Sequence, residues 1–138
     1  MGRKTNYLKT KFLGQVFKGI PYTPPTQPYI GLLNVAADDG YAGVEVSGTN
    51  YQRIPIDLEI FDGYYDNNTF INDGYATNKT ILYFQQVVDN TWGEIVGWGV
   101  YDSLTNGNML YWGTVSNLTL QTNQFISIPI NAIKITEN

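Results

Sequence analysis

The chain has 138 residues and contains neither cysteine nor histidine. That length suits one domain with a real core, and the two missing residue types exclude disulfides, thiolate metal sites, a cysteine nucleophile and a serine–histidine–acid triad. Charge is uneven: Arg3, Lys4, Lys9, Lys11 and Lys18 put five of the eight positive charges in the first 18 residues, and the remainder carries three positive and twelve negative ones, a net of −9, a body that repels nucleic acid.

Residues 6 to 18 predict one short amphipathic helix. Leu8, Phe12, Val16 and Phe17 recur at helical spacing and Leu13 widens the stripe. Thr5 or Asn6 can cap its start, and Gly19 stands where a left-handed residue ends helices. The ordinary reading is a helix packed on its own domain with a solvated basic face. The sharper one is a docking helix whose apolar stripe or lysines meet a partner. Four prolines between Pro21 and Pro28 then forbid helix and favour a stiff extended connector, expected to hold the helix at a fixed distance from the body. The start is basic, but Lys9, Lys11 and Gln15 interrupt any apolar core of signal-peptide length. No apolar run has the length to span a membrane, and none is expected as a partner.

From Tyr29 the pattern is β. Tyr29 to Val35 is a mostly apolar strand, 36–43 a loop with Asp38-Asp39-Gly40, and Val44 to Gly48 a short extended stretch and turn. Tyr51 to Ile60 alternates as a strand whose Pro55 argues for an edge or a bulge. Residues 61–78 form a polar loop of a length at which loops carry function. Strands follow over Thr80 to Val88, Trp92 to Tyr101 and Met109 to Val115, the last two joined through an Asn106-Gly107 hairpin signal. Phe125 to Ile130 and Ile133 to Ile135 finish the chain as one strand or a broken pair. Seven or so strands with tight turns predict a mainly β fold: a single-domain antiparallel β-sandwich or partly open barrel with a short N-terminal helix and a proline-rich arm. The composition break divides the chain into a docking segment, 1–28, and a β-rich body, 29–138.

The order of short phrases is distinctive. Thr23-Pro24-Pro25 precedes Tyr29-Ile30-Gly31-Leu32; Glu45-Val46-Ser47-Gly48 is followed by Tyr51-Gln52-Arg53; Trp92-Gly93-Glu94-Ile95, Gly99-Val100-Tyr101-Asp102 and Gly107 to Gly113 come after. This order resembles a family of small bacteriophage virion proteins, often labelled tail fiber proteins, with phrases such as Glu-Val-Ser-Gly-Gly-Gly-Tyr-Ala-Arg, Trp-Gly-Thr-Val and Gly-Ile-Phe-Asp. The match runs from about Leu8 to the end. Here Thr49-Asn50 replaces Gly-Gly, and the 61–78 loop is more acidic and aromatic than the family's usual segment. The resemblance implies a virion component whose partners are other virion proteins and its own copies as a homo-oligomer. A tail or tail-fiber position and a head-decoration or cement position are both open.

Three groups of residues are candidates for contact. Lys4, Leu8, Lys9, Lys11, Phe12, Phe17, Lys18, Tyr22, Pro24 and Pro25 form the docking set. Tyr64, Tyr65, Asp66, Phe70 and Tyr75 offer an adhesive loop, the alternative being a receptor-binding module that meets a host surface glycan. Trp92, Trp98, Tyr101 and Trp112 define the fold. Trp92 and Trp98 share strand parity, and Trp112 is expected across from Trp98. At least two of the three tryptophans are expected in the core. Asp57, Glu59, Asp62, Asp66 and Asp73, with Asn67, Asn68 and Asn72, include hard oxygen ligands for calcium, but their spacing fits no calcium loop, and a solvated loop guarding an edge strand is preferred. No spacing selects a glycosidase pair from Asp57 with Asp102 or Glu45 with Glu94. No metal, cofactor or enzymatic activity is expected.

Overall fold

The computed structural model describes residues 2–61, 65–66, 69–70 and 75–136. In chain order it contains β1 (Arg3–Lys4), α1 (Asn6–Lys18), β2 (Tyr29–Val35), β3 (Val44–Glu45), β4 (Ile54–Pro55), β5 (Leu58–Phe61), β6 (Tyr65–Asp66), β7 (Thr69–Phe70), β8 (Tyr75–Asn78), β9 (Leu82–Tyr83), β10 (Glu94–Tyr101), β11 (Met109–Thr119), β12 (Ser127–Ile128) and β13 (Lys134–Thr136). The chain is mainly β, with antiparallel sheets and one short helix, as its patterning predicts.

The helix has the predicted bounds because its caps are local. Thr5 is extended at the N-cap and its hydroxyl oxygen accepts from the Leu8 N–H (3.3 Å), while Gly19 takes a left-handed φ of 60°.

The main sheet runs β1-β11-β10-β2-β3, with β4 also on β2. Pro55 therefore sits in a strand paired with β2 alone, where its missing N–H costs no ladder bond. The expected strand 51–60 is in fact two. β4 joins the main sheet at β2 and β5 joins a second sheet, β13-β8-β5. One segment thus passes between the sheets on one side, and a Gly2–Ile135 bridge links them on another. The result is an open, bent arrangement and not a closed barrel.

The hairpin register differs from expectation by one residue, for a local reason. Tyr101 pairs with Met109, but Val100 pairs with Tyr111, so Leu110 is an extra residue in β11. That bulge places Trp98 opposite Gly113 and Trp112 opposite Gly99. The Trp98 ring lies against Gly113, where any Cβ would collide with it. Trp92 precedes β10 instead of sharing its face, yet it buries in the same cluster and its indole N–H donates to the Thr49 carbonyl (2.7 Å).

The expected strand 80–88 reduces to Leu82–Tyr83. Beyond it, backbone bonds persist from the Phe84 N–H to Ile126 and between Val87 and both Gln124 and Asn123, and side-chain amides join in: Gln85 Oε1 accepts from the Gln52 N–H, Asn50 Nδ2 donates to the Gln86 carbonyl, and Gln86 Nε2 donates to the Asn123 carbonyl. The C-terminal strand is likewise a broken pair, β12 and β13, separated by Pro129.

The principal core gathers residues from both sheets, with Ile30, Ile56, Val87, Trp92, Ile95 and Trp98 among the most buried. Leu33, Ala37, Tyr101 and Met109, with Trp112 packed against them, form a smaller cluster. Trp92 and Trp98 are thus core residues, as expected, and Trp112 is half-buried.

Candidate docking surface

The dispersed phrases of the sequence meet at Arg53. This guanidinium, 9% exposed, makes a two-pronged ion pair with Glu45 (both bonds 2.9 Å), donates to the carbonyls of Ser103 and Asn106 (2.8 Å each), and stacks 3.5 Å from the Tyr101 ring centre. The Tyr51 hydroxyl donates to Glu45 (2.8 Å) and accepts from the Leu32 N–H (2.8 Å). Gly31 leaves the space, since a Cβ there would press on Glu45 and Tyr51. Burial first, and then the Glu45 charge, push the Tyr51 and Tyr101 phenols well above the usual tyrosine range. The clamp locks the 102–108 turn to the β3–β4 segment, and Glu45, Tyr51 and Arg53 also line an open pocket of about 290 Å³ together with Leu104, Thr105 and Asn106.

A second network seats the start of α1. The Thr5 hydroxyl donates to the Met109 carbonyl (2.8 Å) and the Thr5 N–H to Leu110 (3.0 Å). Asp39, from the 36–43 loop, receives Lys9 Nζ (2.6 Å) and the Trp112 indole N–H (2.9 Å), with Arg3 at 3.8 Å, and its carbonyl accepts from the Asn6 N–H (2.6 Å). Lys9 first, then Trp112, hold the Asp39 carboxyl below its usual range. Leu8 is 2% exposed. The connector therefore does not hold the helix away from the body. Residues 2–8 are woven into it through β1, Thr5 and Leu8, and the arm folds back so that Tyr22 meets Phe12 edge-on (6.3 Å).

The expected docking residues divide between two surfaces. Leu8, Phe12, Tyr22, Pro24 and Pro25 line a cleft of about 340 Å³ between α1, the arm and the start of β11, with Lys4 Nζ 5.2 Å from the Phe12 ring centre. Lys11, Phe17 and Lys18 surround a concavity of about 460 Å³ at the other end of the helix. There the apolar stripe is open: Leu13 is 58% exposed, Val16 72%, Phe17 78% and Ile20 54%. Lys9 is tied to Asp39 and belongs to neither surface.

Of the adhesive-loop candidates, Tyr64 lies outside the described residues, as do Asp62, Asn67, Asn68, Asn72 and Asp73 of the calcium set. Tyr65 and Asp66 form β6, and Phe70 ends β7. Tyr75 opens β8, with Lys134 Nζ 4.5 Å from its ring centre. The other conjectured acid–base carboxylates are engaged locally: Asp102 accepts from Asn108, and Glu94 from Asn117. Among the described residues no group of ionisable side chains is arranged to hold a metal, and no helix is long and apolar enough to cross a membrane.

A family model described as podophage GP4 fiber I protein gp80 matches residues 3–136. The chain belongs to that family. Fiber I family membership makes it a phage virion structural protein, associated with the particle and with other virion proteins, and agrees with the resemblance read from its phrases. No curated protein matches the chain.

Sequence reasoning overlooked Asp39 and the role of Glu45 with Arg53. The phrase that holds Glu45 and Arg53 was visible, but its task depends on Tyr101 and the 103–106 carbonyls some 50 residues away. Asp39 carried no signal beyond a turn-like Asp-Asp-Gly.

Proposed function

We propose that this fiber-family protein is a non-enzymatic assembly component that docks on a neighbouring virion protein through the free end of α1. The observation that carries the reading is the contrast within one helix: near its start Leu8 is buried and Asn6 and Lys9 are bonded to Asp39, while Leu13, Val16, Phe17 and Ile20 stay open beside Lys11 and Lys18. A contiguous exposed apolar patch rimmed by charge marks a protein-binding surface. The absence of histidine and cysteine and the local engagement of Glu45, Glu94 and Asp102 support a role without catalysis. A glycan-adhesion end would need the 36–43 loop away from the helix, and that loop instead grips α1 through Asp39.

The test is incorporation. Virions assembled with the Phe17→Glu chain as sole source should carry at least about tenfold less of it, because burying a glutamate among apolar anchors removes a hot spot. Incorporation at the wild-type level would sink the docking role.

A further inference from the structure

Asn106 is the sole asparagine of the chain that precedes a glycine, and the fold leaves the two amides of that pair unengaged. Both residues are exposed and left-handed, with φ of 55° at Asn106 and 70° at Gly107. Among the described residues the Asn106 carboxamide has no hydrogen-bond partner and the Gly107 N–H has no acceptor. Other asparagine amides are tied down: those of Asn34, Asn50, Asn78 and Asn108 each donate to a carbonyl or carboxylate. What is held at Asn106 is its main-chain carbonyl, which accepts from Arg53 Nη1 (2.8 Å). That carbonyl belongs to the same peptide group as the Gly107 nitrogen. When this nitrogen loses its proton, the charge spreads onto the oxygen that the guanidinium already grips. The open pocket lined in part by Arg53, Thr105 and Asn106 admits water to the same place.

We propose that Asn106 is a site of spontaneous conversion to isoaspartate, promoted by Arg53. The Gly107 nitrogen gives its proton to water or hydroxide and attacks Asn106 Cγ, and no Cβ on Gly107 obstructs the approach. The Cγ–Nδ2 bond breaks, Nδ2 takes up a proton, and ammonia leaves behind a cyclic imide. Water then adds to the imide carbonyl that Arg53 holds, whose oxygen carries the negative charge of that step. The bond from this carbon to the Gly107 nitrogen breaks and the nitrogen recovers a proton. The net change consumes one water and releases one ammonia. In the product the main chain runs through Cβ and Cγ of residue 106 and is one methylene longer. The former main-chain carbonyl is now a carboxylate facing Arg53, so a neutral acceptor on the guanidinium becomes a charged one. Hydrolysis at the other imide carbonyl would give aspartate, but the Asn106 side-chain oxygen has no such donor.

The test uses the full-length protein at mildly alkaline pH, followed by peptide mapping. Asn106 should convert ahead of every other asparagine, with a gain of one mass unit and of one negative charge on ion exchange. Electron-transfer fragmentation should show isoaspartate as the main product. The same chain unfolded in urea lacks the Arg53 contact and supplies the reference. There Asn106 should convert at least about tenfold more slowly, with a smaller share of isoaspartate. Folded Arg53→Ala should drop to the unfolded rate, and Asn106→Gln should remove the new charge. An Asn106 that converts no faster in the folded chain than in the unfolded one overturns the proposal. So does a folded Arg53→Ala chain that keeps the wild-type rate and product ratio. If Arg53→Ala does not fold, the comparison of folded with unfolded wild type decides alone.

Discussion

Arg53 and the end of α1 show opposite uses of similar chemistry. Arg53 is a cation stacked on an aromatic ring, and Lys11 and Lys18 surround the same concavity as Phe17. At Arg53 four of the five guanidinium N–H donors are matched to a carboxylate or carbonyl and the ring beneath it is buried. Around Phe17 the ring is 78% exposed and the neighbouring apolar side chains face outward. The first arrangement is complete within one chain and fixes the fold. The second leaves apolar surface that the chain itself does not cover, although it covers comparable residues elsewhere. The difference separates residues that hold the molecule together from those free to meet another.

Breaking the complete region should cost most at Trp98. Its ring is 4% exposed, lies on Gly113 and reaches Gly2, joining the hairpin to the N-terminal strand. Trp98→Ala leaves a cavity between these strands and should lower unfolding free energy by about 4 kcal/mol, read from urea denaturation. A loss under about 1 kcal/mol would remove Trp98 from the centre of the fold.

Next comes Arg53→Ala, which strands the Glu45 carboxylate and two turn carbonyls and should cost about 3 kcal/mol. Arg53→Lys sharpens the point. Lysine keeps the charge but lacks the planar fork that reaches Glu45 with two bonds while stacking on Tyr101, so it should recover less than half of the loss. Full recovery by lysine would mean that charge alone matters and the fork geometry does not.

Legibility followed the range of the forces. Thr5, Gly19 and the Asn106-Gly107 turn act within a few residues, so the helix bounds and the hairpin could be read directly. The hairpin register could not, because the extra Leu110 shifts Trp98 from Trp112 to Gly113 and no local rule announces a one-residue bulge. The pattern over 80–88 reads as one regular strand, but beyond Tyr83 backbone bonds at Phe84 and Val87 are interspersed with side-chain bonds of Gln85 and Gln86 that no strand pattern announces. At the docking surface, the apolar stripe of α1 was visible as a stripe. Its division into a buried Leu8 and an open Phe17 depends on where β11 and the 36–43 loop stop, a tertiary matter.

The smallest expected effect lies at the boundary between seated and free helix, at Asp39. Lys9 and Trp112 hold its carboxyl below the ordinary 3.8, so the folded protein favours the ionised form more than the unfolded chain does. The resulting stabilisation is present in full above the unfolded pKa and is lost as pH falls through the depressed folded value. The side chain is 29% exposed, which lets solvent and salt weaken the effect. Acid should therefore loosen the start of α1 before the core. The Trp112 indole N–H, bonded to Asp39, reports this separately from Trp92, whose indole is bonded to Thr49. In NMR titration the Trp112 indole signal should move with a midpoint below 3.8, and Asp39→Asn should abolish that movement while leaving the Trp92 signal in place. A midpoint at or above the ordinary value would mean that Lys9 and Trp112 do not favour the charged carboxylate, and that something other than this network seats the helix.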